Sequence, residues 1–150
     1  MDRFEVKIFI DSNVLLAAVL RDHGSHARAF SLLERIQSGK DDGYVAAHSL
    51  AEMYSALTRM PAPFRHSPDE ALQSVEENVV KYFHVIALTA GDYVEVLRSV
   101  VARGVHGGAT YDALILKAAE KAKVSRIFTF NLKHFEAIAD QRLAELLVSP

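Results

Sequence analysis

The sequence contains no cysteine, which excludes disulfide bonds, thiol catalysis and zinc sites with Cys ligands. It also lacks a long hydrophobic run. The longest uncharged apolar stretch is residues 14–20, far shorter than the roughly 20 residues needed to cross a bilayer. The N-terminal residues carry acids ahead of a short strand-like stretch and do not resemble a signal peptide. We therefore expect a cytoplasmic protein with no membrane partner.

Neither sign of charge is in large excess. The chain has 17 basic and 19 acidic residues and a net charge of −2. A nucleic-acid partner would therefore need a local basic patch, because long-range electrostatic steering is weak. A chain of 150 residues with 50% hydrophobic residues can bury its own core. We predict a single domain spanning residues 1–150.

Several nucleotide and metal motifs are missing. The sequence has no GxxxxGK[ST] or GxGxxG loop and no HExxH pattern, so phosphate-binding loops and metalloprotease-type zinc sites are disfavoured. Of its seven histidines, His23 and His26 are close together in the chain, but in a loop of unfavourable type. Histidine-bound zinc is not expected.

Strand-like and helix-like patterns alternate along the chain. The predicted strands are residues 5–10, 44–46, 84–88, 126–130 and 146–148. The predicted helices are residues 12–21, 25–37, 49–60, 69–82, 92–103, 110–121 and 132–139. This order predicts an α/β fold, with a mainly parallel central sheet flanked by helices as a three-layer sandwich.

Acidic and amide side chains recur where ligands bind in such folds. Asp11 ends a hydrophobic strand, and the carboxyl edge of a parallel sheet opens a crevice. Glu52, Asp112 and Asn131 begin or precede helices that can return to the same edge. Oxygen ligands from separate elements suit Mg²⁺ or Mn²⁺. Such an ion would activate water for phosphodiester hydrolysis.

The first two acids also have structural interpretations. Asp11 could cap the following helix, because Asp is a favoured N-cap residue. Ser49 and Glu52 have the spacing of a capping box, in which the Glu side chain reaches back to the Ser backbone N–H. From spacing alone, capping and metal binding are equally acceptable roles for Glu52.

The other two candidates lie near predicted helix starts. Asp112 follows Thr110, a plausible N-cap, and an acid in the first helical turn is favoured by the helix dipole. The apolar run at 113–116 indicates a buried helix start, which favours a functional acid, because charges are buried only when paired or metal-bound. Asn131 occupies an ordinary N-cap position before Leu132.

Taken together, these residues resemble the PIN-domain ribonucleases, particularly the VapC-type toxins of toxin–antitoxin pairs. The resemblance covers nearly the whole chain and rests on four blocks in the family's order. The blocks are residues 10–15, 49–61, 111–119 and 127–135.

The resemblance implies a PIN-like fold and a Mg²⁺- or Mn²⁺-dependent endoribonuclease that leaves a 5′-phosphate and a 3′-hydroxyl. Three residues would hold the metal and serve in catalysis: Asp11, Glu52 and Asp112. Three would orient ligands, water or the scissile phosphate: Asn13, Thr129 and Asn131. Many family members have Asp at the position of Asn131. Because an amide is a poorer ligand, we expect either one-metal chemistry or a second ion whose coordination the substrate phosphate completes.

The resemblance also implies partners. RNA would be held by basic residues near the site, with Arg59, Lys117, Lys133 and Arg103 as candidates. A toxin would have a cognate antitoxin, commonly bound in a groove between the early helices, and family members commonly form homodimers. Apolar residues that could line these surfaces or belong to the core are Leu15, Leu16, Leu32 and Leu57.

Three other functions are compatible with parts of the sequence. A haloacid-dehalogenase-like phosphatase normally has a second acid two residues after the first, where this chain has Asn13. A receiver domain has a phospho-accepting Asp after its third strand, and residues 84–88 contain none. The third rival is a catalytically weakened PIN-fold module that binds RNA or acts as a scaffold. Asn131 is its only support in the sequence.

Overall fold

The computed structural model describes residues 6–150 and confirms the predicted alternation of strands and helices. The strands are β1 (Lys7–Ile10), β2 (Asp42–Ala46), β3 (His84–Ile86), β4 (Arg126–Phe128) and β5 (Leu147–Val148). The helices are α1 (Ser12–Val19), α2 (His26–Gln37), α3 (Ala47–Arg59), α4 (Pro68–Val75), α5 (Ala90–Ala102), α6 (Ala109–Ala122), α7 (Leu132–Ile138) and α8 (Gln141–Ala144). Residue 5 of the predicted first strand lies outside the described residues.

The strands form one parallel sheet in the order β3-β2-β1-β4-β5. From β1 the chain builds one side of the sheet with β2 and β3, then crosses to the other side for β4 and β5. The strand order therefore reverses between β1 and β4. At such a reversal the connections leave in opposite directions, which opens a crevice at the carboxyl edge of the sheet.

Side chains of the central strand alternate between two hydrophobic layers. Ile8 and Ile10 pack with residues of α1 and α2 on one face, while Phe9 packs with α6 and α7 on the other. This is the two-residue period of a strand whose two faces are both covered by helices. The three-layer α/β prediction is confirmed. No helix within residues 6–150 has both the length and the apolar composition needed to cross a bilayer.

Two differences from the predicted elements are local. The predicted helix 69–82 divides into α4, which Ser67 and Glu70 cap as a capping box, and a π-helical segment, Glu76–Val80. The short helix α8 was not predicted, because four residues are too few to show a helical period.

Gly43 allows β2 to lie close against α2. A Cβ atom at this position would stand 2.6 Å from Ile36 Cγ2 and 2.9 Å from the Phe83 ring. Both neighbours are core side chains. The absence of a side chain at position 43 therefore sets the distance between the sheet and this helical layer.

Candidate metal and nuclease site

Asp11 stands directly at the crevice between β1 and β4. It follows the last residue of β1, and its backbone N–H donates to the Phe128 carbonyl of β4 at 3.0 Å. Its side chain is almost fully buried, with 6% of the residue exposed. Asp11 is also the N-cap of α1, and its Oδ1 accepts the Ser12 N–H at 2.8 Å. The capping and site interpretations of Asp11 are therefore compatible.

Thr129 connects Asp11 to the end of β4. Its hydroxyl donates to Asp11 Oδ2 at 2.9 Å and accepts the Asn131 backbone N–H at 3.0 Å. Asn13 Oδ1 accepts the Phe130 N–H at 3.5 Å. These bonds join the start of α1 to the connection after β4. Thr129 thus contacts Asp11 directly, and Asn13 contacts the connection after β4. Their predicted roles in orienting ligands, water or phosphate stay predictions.

Glu52 does not cap its helix. Helix α3 begins at Ala47, two residues earlier than predicted, with Ala46 as N-cap, and no side-chain capping bond is present in this part of the described chain. The alternative prediction of a Ser49–Glu52 capping box is therefore wrong. The Glu52 side chain is 42% exposed, and the Nε2 atom of His48 lies 4.0 Å from its Oε1 atom. Its carboxylate remains available to a ligand.

Ser49 is fully buried in the first turn of α3. Its hydroxyl has no hydrogen-bond partner among residues 6–150. Met53 and Leu57, one and two turns further on, belong to the core. Position 49 therefore serves as a core-facing position of α3 and not as its cap.

Asp112 lies in the first turn of α6, which starts at Ala109 after Gly108. The predicted N-cap, Thr110, is already inside the helix, so that capping prediction is wrong. Partial burial raises the pKa of Asp112, and nearby His134 acts in the opposite direction. The carboxylate is thus at a half-buried helix start, as the apolar run after it indicates.

The electrostatics of Asp11 report on all three acids. Its pKa is raised from 3.8 to about 6. Burial is the main cause, the hydrogen bonds from Thr129 and Ser12 lower the value, and the negative charges of Glu52 and Asp112 raise it again. Within the described chain no Lys or Arg contributes an opposing charge to Asp11. Glu52 and Asp112 therefore lie close enough to Asp11 for their charges to raise its pKa.

This donor set fits a hard divalent cation. It offers oxygen atoms from three separate elements, and no Lys or Arg of the described chain opposes the negative charge of Asp11. Within residues 6–150, no three Asp, Glu or His side chains are grouped closely enough to hold a metal ion by themselves. Mg²⁺ usually keeps several waters and binds through one or two carboxylates together with substrate phosphate.

Asn131 is exposed at the N-cap position of α7, as predicted, but its side chain makes no capping bond to any described residue. Its backbone N–H is used by Thr129. The amide side chain is therefore at the edge of the site, where contact with water or phosphate is possible.

The candidate RNA-binding residues separate into two groups. Lys117 is only 13% exposed and pairs with Glu95 at 3.0 Å and Glu120 at 3.3 Å, which disfavours it as an RNA contact. Arg103 belongs with Lys117, because both line one cavity beside α6 and Arg103 donates there to the Ile138 carbonyl at 2.7 Å. Lys133 and Arg59 are exposed and remain candidates.

The apolar residues considered for partner surfaces also separate. Leu15 and Leu57 are fully buried in the core, so they cannot form a surface, whereas Leu16 and Leu32 are partly buried against it. Early-helix surfaces are instead lined by side chains that the sequence did not single out. They are Val19, Arg21, Phe30, Met60 and Phe64.

Two rings beside the acids were missed from the sequence. The rings of His48 and Tyr111 lie 6.3 Å apart and within 8° of parallel. His48 is four residues before Glu52 on α3, and Tyr111 immediately precedes Asp112. The spacing from 48 to 52 places both side chains on one helix face, a signal that could have identified His48.

The fold and its acidic edge define a PIN-domain protein. The sequence profile of the PIN domain matches residues 8–141, and the chain belongs to that family. It is 32% identical over 139 residues to Ribonuclease VapC40 of Mycobacterium tuberculosis, covering 93% of this chain and 97% of the relative. Within the PIN-domain family it therefore belongs with the VapC-type proteins, as the four sequence blocks predict.

Solved structures support the fold assignment. The crystal structure of Mycobacterium tuberculosis VapC20, described as a sarcin–ricin loop cleaving toxin, matches with a TM-score of 0.66 at 18% identity, covering 87% of this chain and 94% of that one. VapBC2 from Rickettsia felis, bound to a DNA fragment from its promoter, matches with a TM-score of 0.62 at 19% identity, covering 96% and 98%. At these identities the likeness concerns the fold.

Proposed function

We propose that this protein is a Mg²⁺- or Mn²⁺-dependent endoribonuclease. The observation that carries the proposal is the buried Asp11 carboxylate, raised in pKa to about 6, which lies beside two further acids and without a basic counter-charge in the described chain. Burying an acid of this kind costs folding free energy, so its presence at the sheet edge indicates a ligand-binding role. The family of the chain points to the same chemistry.

The residues would divide the work as follows. Asp11, Glu52 and Asp112 would hold the ion, which when bound supplies an activated water and stabilises the leaving oxygen. Thr129 donates to Asp11 and so fixes the direction of its carboxylate. The water would attack phosphorus and lose a proton to solvent, the P–O3′ bond would break, and the leaving O3′ would take up a proton from solvent. The products carry a 5′-phosphate and a 3′-hydroxyl. Asn13 and Asn131 would orient water or phosphate.

The direct test is cleavage of a mixed RNA pool by purified protein with Mg²⁺, Mn²⁺ or EDTA. Glu52→Gln and Asp112→Asn should each retain the fold and lose metal-dependent cutting. Equal cutting by wild type and both variants would show a contaminating nuclease or a wrong site. RNA binding without cleavage or metal binding would favour the weakened module instead.

We further propose that the protein is the toxin of a toxin–antitoxin pair, acting in the cytoplasm where its RNA lies, and that its antitoxin docks beside α1 and α2. Two cavities of about 330 and 460 Å³ there share Val19 and Arg21 in their walls. Phe64 is exposed in the first and Phe30 in the second. Such a surface fits a segment that brings apolar anchors and a carboxylate for Arg21.

Co-expression with a candidate cognate antitoxin tests the docking site. Arg21→Glu should abolish co-purification and release toxicity while the melting temperature is unchanged. Lys133→Glu, an exposed charge reversal on α7, is the matched control and should leave the complex intact. A complex that survives Arg21→Glu would place the antitoxin elsewhere.

We also propose a homodimer, with the outer face of α5 as its contact. Val94, Leu97 and Val101 are exposed there at helical spacing. Leu97→Lys should yield a monomer in light scattering. Leu72→Lys, at an equally exposed position on α4, should not. If Leu97→Lys leaves the dimer intact, α5 is not the interface.

A further inference from the structure

His48 and Tyr111 pair across the two helices that carry Glu52 and Asp112. His48 lies in the first turn of α3 and Tyr111 in the first turn of α6. Their rings are nearly parallel, with centroids 6.3 Å apart. Because aromatic pairs are found at 4.5–7 Å, this pair is at the loose end of the range. The His48 side chain is 49% exposed and Tyr111 is 60% exposed, so both rings can be reached by another planar group.

The pair contributes little to the core. Tyr111 is 60% exposed, and its hydroxyl makes no hydrogen bond with any described residue. The contrast is the Tyr44–His84 pair at the amino edge of the sheet. Those rings lie 4.7 Å apart, and Asp42 hydrogen-bonds both side chains. The His48–Tyr111 pair is therefore exposed enough to bind another group, whereas the Tyr44–His84 pair is held together by hydrogen bonds as a structural contact.

A cleft adjoins the His48 ring. It has a volume of about 150 Å³, and its walls come from the start of α3, the end of β3 and the facing side of α6. Besides His48 it is lined by Tyr93 and by apolar side chains, including Ile86, Leu88 and Ile115. A flat, largely uncharged group that covers the rings would thus have an apolar wall beside it.

We propose that His48 and Tyr111 form a stacking site for an unpaired RNA nucleobase next to the scissile phosphate. The inference rests on the proposed ribonuclease function and assigns the part of the substrate that this surface takes. The acids repel the phosphates of RNA, and the net charge of −2 gives no general attraction. Stacking supplies affinity that does not depend on charge. Every base has a π-face, so the site accepts several bases.

The proposal is tested by RNA binding in an Asp11→Asn background, where no cleavage occurs. A labelled short oligouridylate is compared, by fluorescence anisotropy, with copies in which one base at a time is replaced by an abasic ribose. Tyr111→Ala should weaken binding of the intact RNA about 5- to 150-fold, the range for one stacked base. It should also abolish the loss caused by one particular abasic position. Tyr111→Phe retains the ring, so it should bind the intact RNA as the Asp11→Asn parent does and should keep the loss at that abasic position.

Tyr82→Ala removes an exposed tyrosine at the opposite edge of the sheet and serves as the matched control, with no change in binding expected. If Tyr111→Ala leaves the effect of every abasic position unchanged, the stacking site is wrong. The ribonuclease proposal would then stand or fall on the cleavage test alone. If the Asp11→Asn protein binds neither the intact nor the abasic RNA and the wild type cleaves no RNA, both proposals are overturned.

Discussion

Replacing Asp11 by Asn should stabilise the metal-free protein at neutral and alkaline pH. The folded protein holds the Asp11 proton more tightly than the unfolded chain does, because the pKa rises from 3.8 to about 6 on folding. Each pKa unit corresponds to about 1.4 kcal/mol. Ionisation of Asp11 therefore costs the folded state about 3 kcal/mol at pH 8. Asparagine has no such cost.

The substitution also loses a favourable contact. The Asn side chain can still accept the Ser12 N–H, but its amide faces the Thr129 hydroxyl, which now donates to a carboxylate oxygen. In the variant the Thr129 hydroxyl no longer has this carboxylate oxygen as its acceptor, which costs about 1 kcal/mol. The net gain at pH 8 is about 2 kcal/mol, or roughly 4–8 °C in melting temperature for a domain of this size.

The pH dependence is the decisive part. For an acid with a raised folded pKa, the cost is absent below the unfolded pKa, grows as the pH rises, and is complete above the folded pKa. From pH 5 to pH 8, the stability of Asp11→Asn relative to wild type should therefore grow by about 1.4 kcal/mol. Urea unfolding in EDTA at several pH values measures this difference.

Two further results bear on the reasoning. Mg²⁺ at 100 times its dissociation constant should stabilise wild type by about 2.7 kcal/mol, and Asp11→Asn should lose most of that gain. Asp22→Asn, which changes an exposed acid after α1, should stay within about 0.5 kcal/mol of wild type throughout. A relative stability of Asp11→Asn that does not change with pH would refute the account of the buried carboxylate.

Four other variants test separate parts of the structure. Ser49→Ala should be neutral or stabilising by up to about 1 kcal/mol in urea unfolding, because it removes a buried hydroxyl without a partner; a loss of about 1 kcal/mol would restore its role as a cap. Lys117→Met should lower the free energy of unfolding without changing RNA affinity. Lys133→Ala should leave stability unchanged, weaken RNA binding and reduce the slope of log K against log salt concentration by about one. Equal effects of the two variants in anisotropy titrations would contradict the assignment of Lys133, and not Lys117, as an RNA contact. Gly43→Ala should cost about 1–3 kcal/mol in thermal unfolding, because its Cβ overlaps the Ile36 side chain; a wild-type melting temperature would mean that α2 moves away without strain.

Long, strongly periodic segments were predictable because their pattern is written in neighbouring residues. The apolar strand ending at Asp11 indicates both the first strand and the edge at which it stops. Helix starts were less predictable. For α3 and α6, the residues with capping chemistry, Ser49 and Thr110, lie inside the helix, because packing of the first turn against the sheet decides where each helix begins.

Charged residues show the same division. Positions 117 and 133 are both lysine, and each lies on a helix near a candidate site residue. Only the packing of α5 beside α6 brings Glu95 to Lys117 and removes that lysine from the surface. No sequence spacing indicates a contact between positions on two different helices.

The sequence by itself determined the order of strands and helices, the parallel sheet and the positions of acids at its carboxyl edge, because hydrophobic period and strand termination are local properties of the chain. Only the tertiary structure decided which side chains meet. Thr129 donates to Asp11 across 118 positions of sequence, and His48 faces Tyr111 across the gap between two helices. Such contacts depend on how the sheet orders its strands and on where each helix packs.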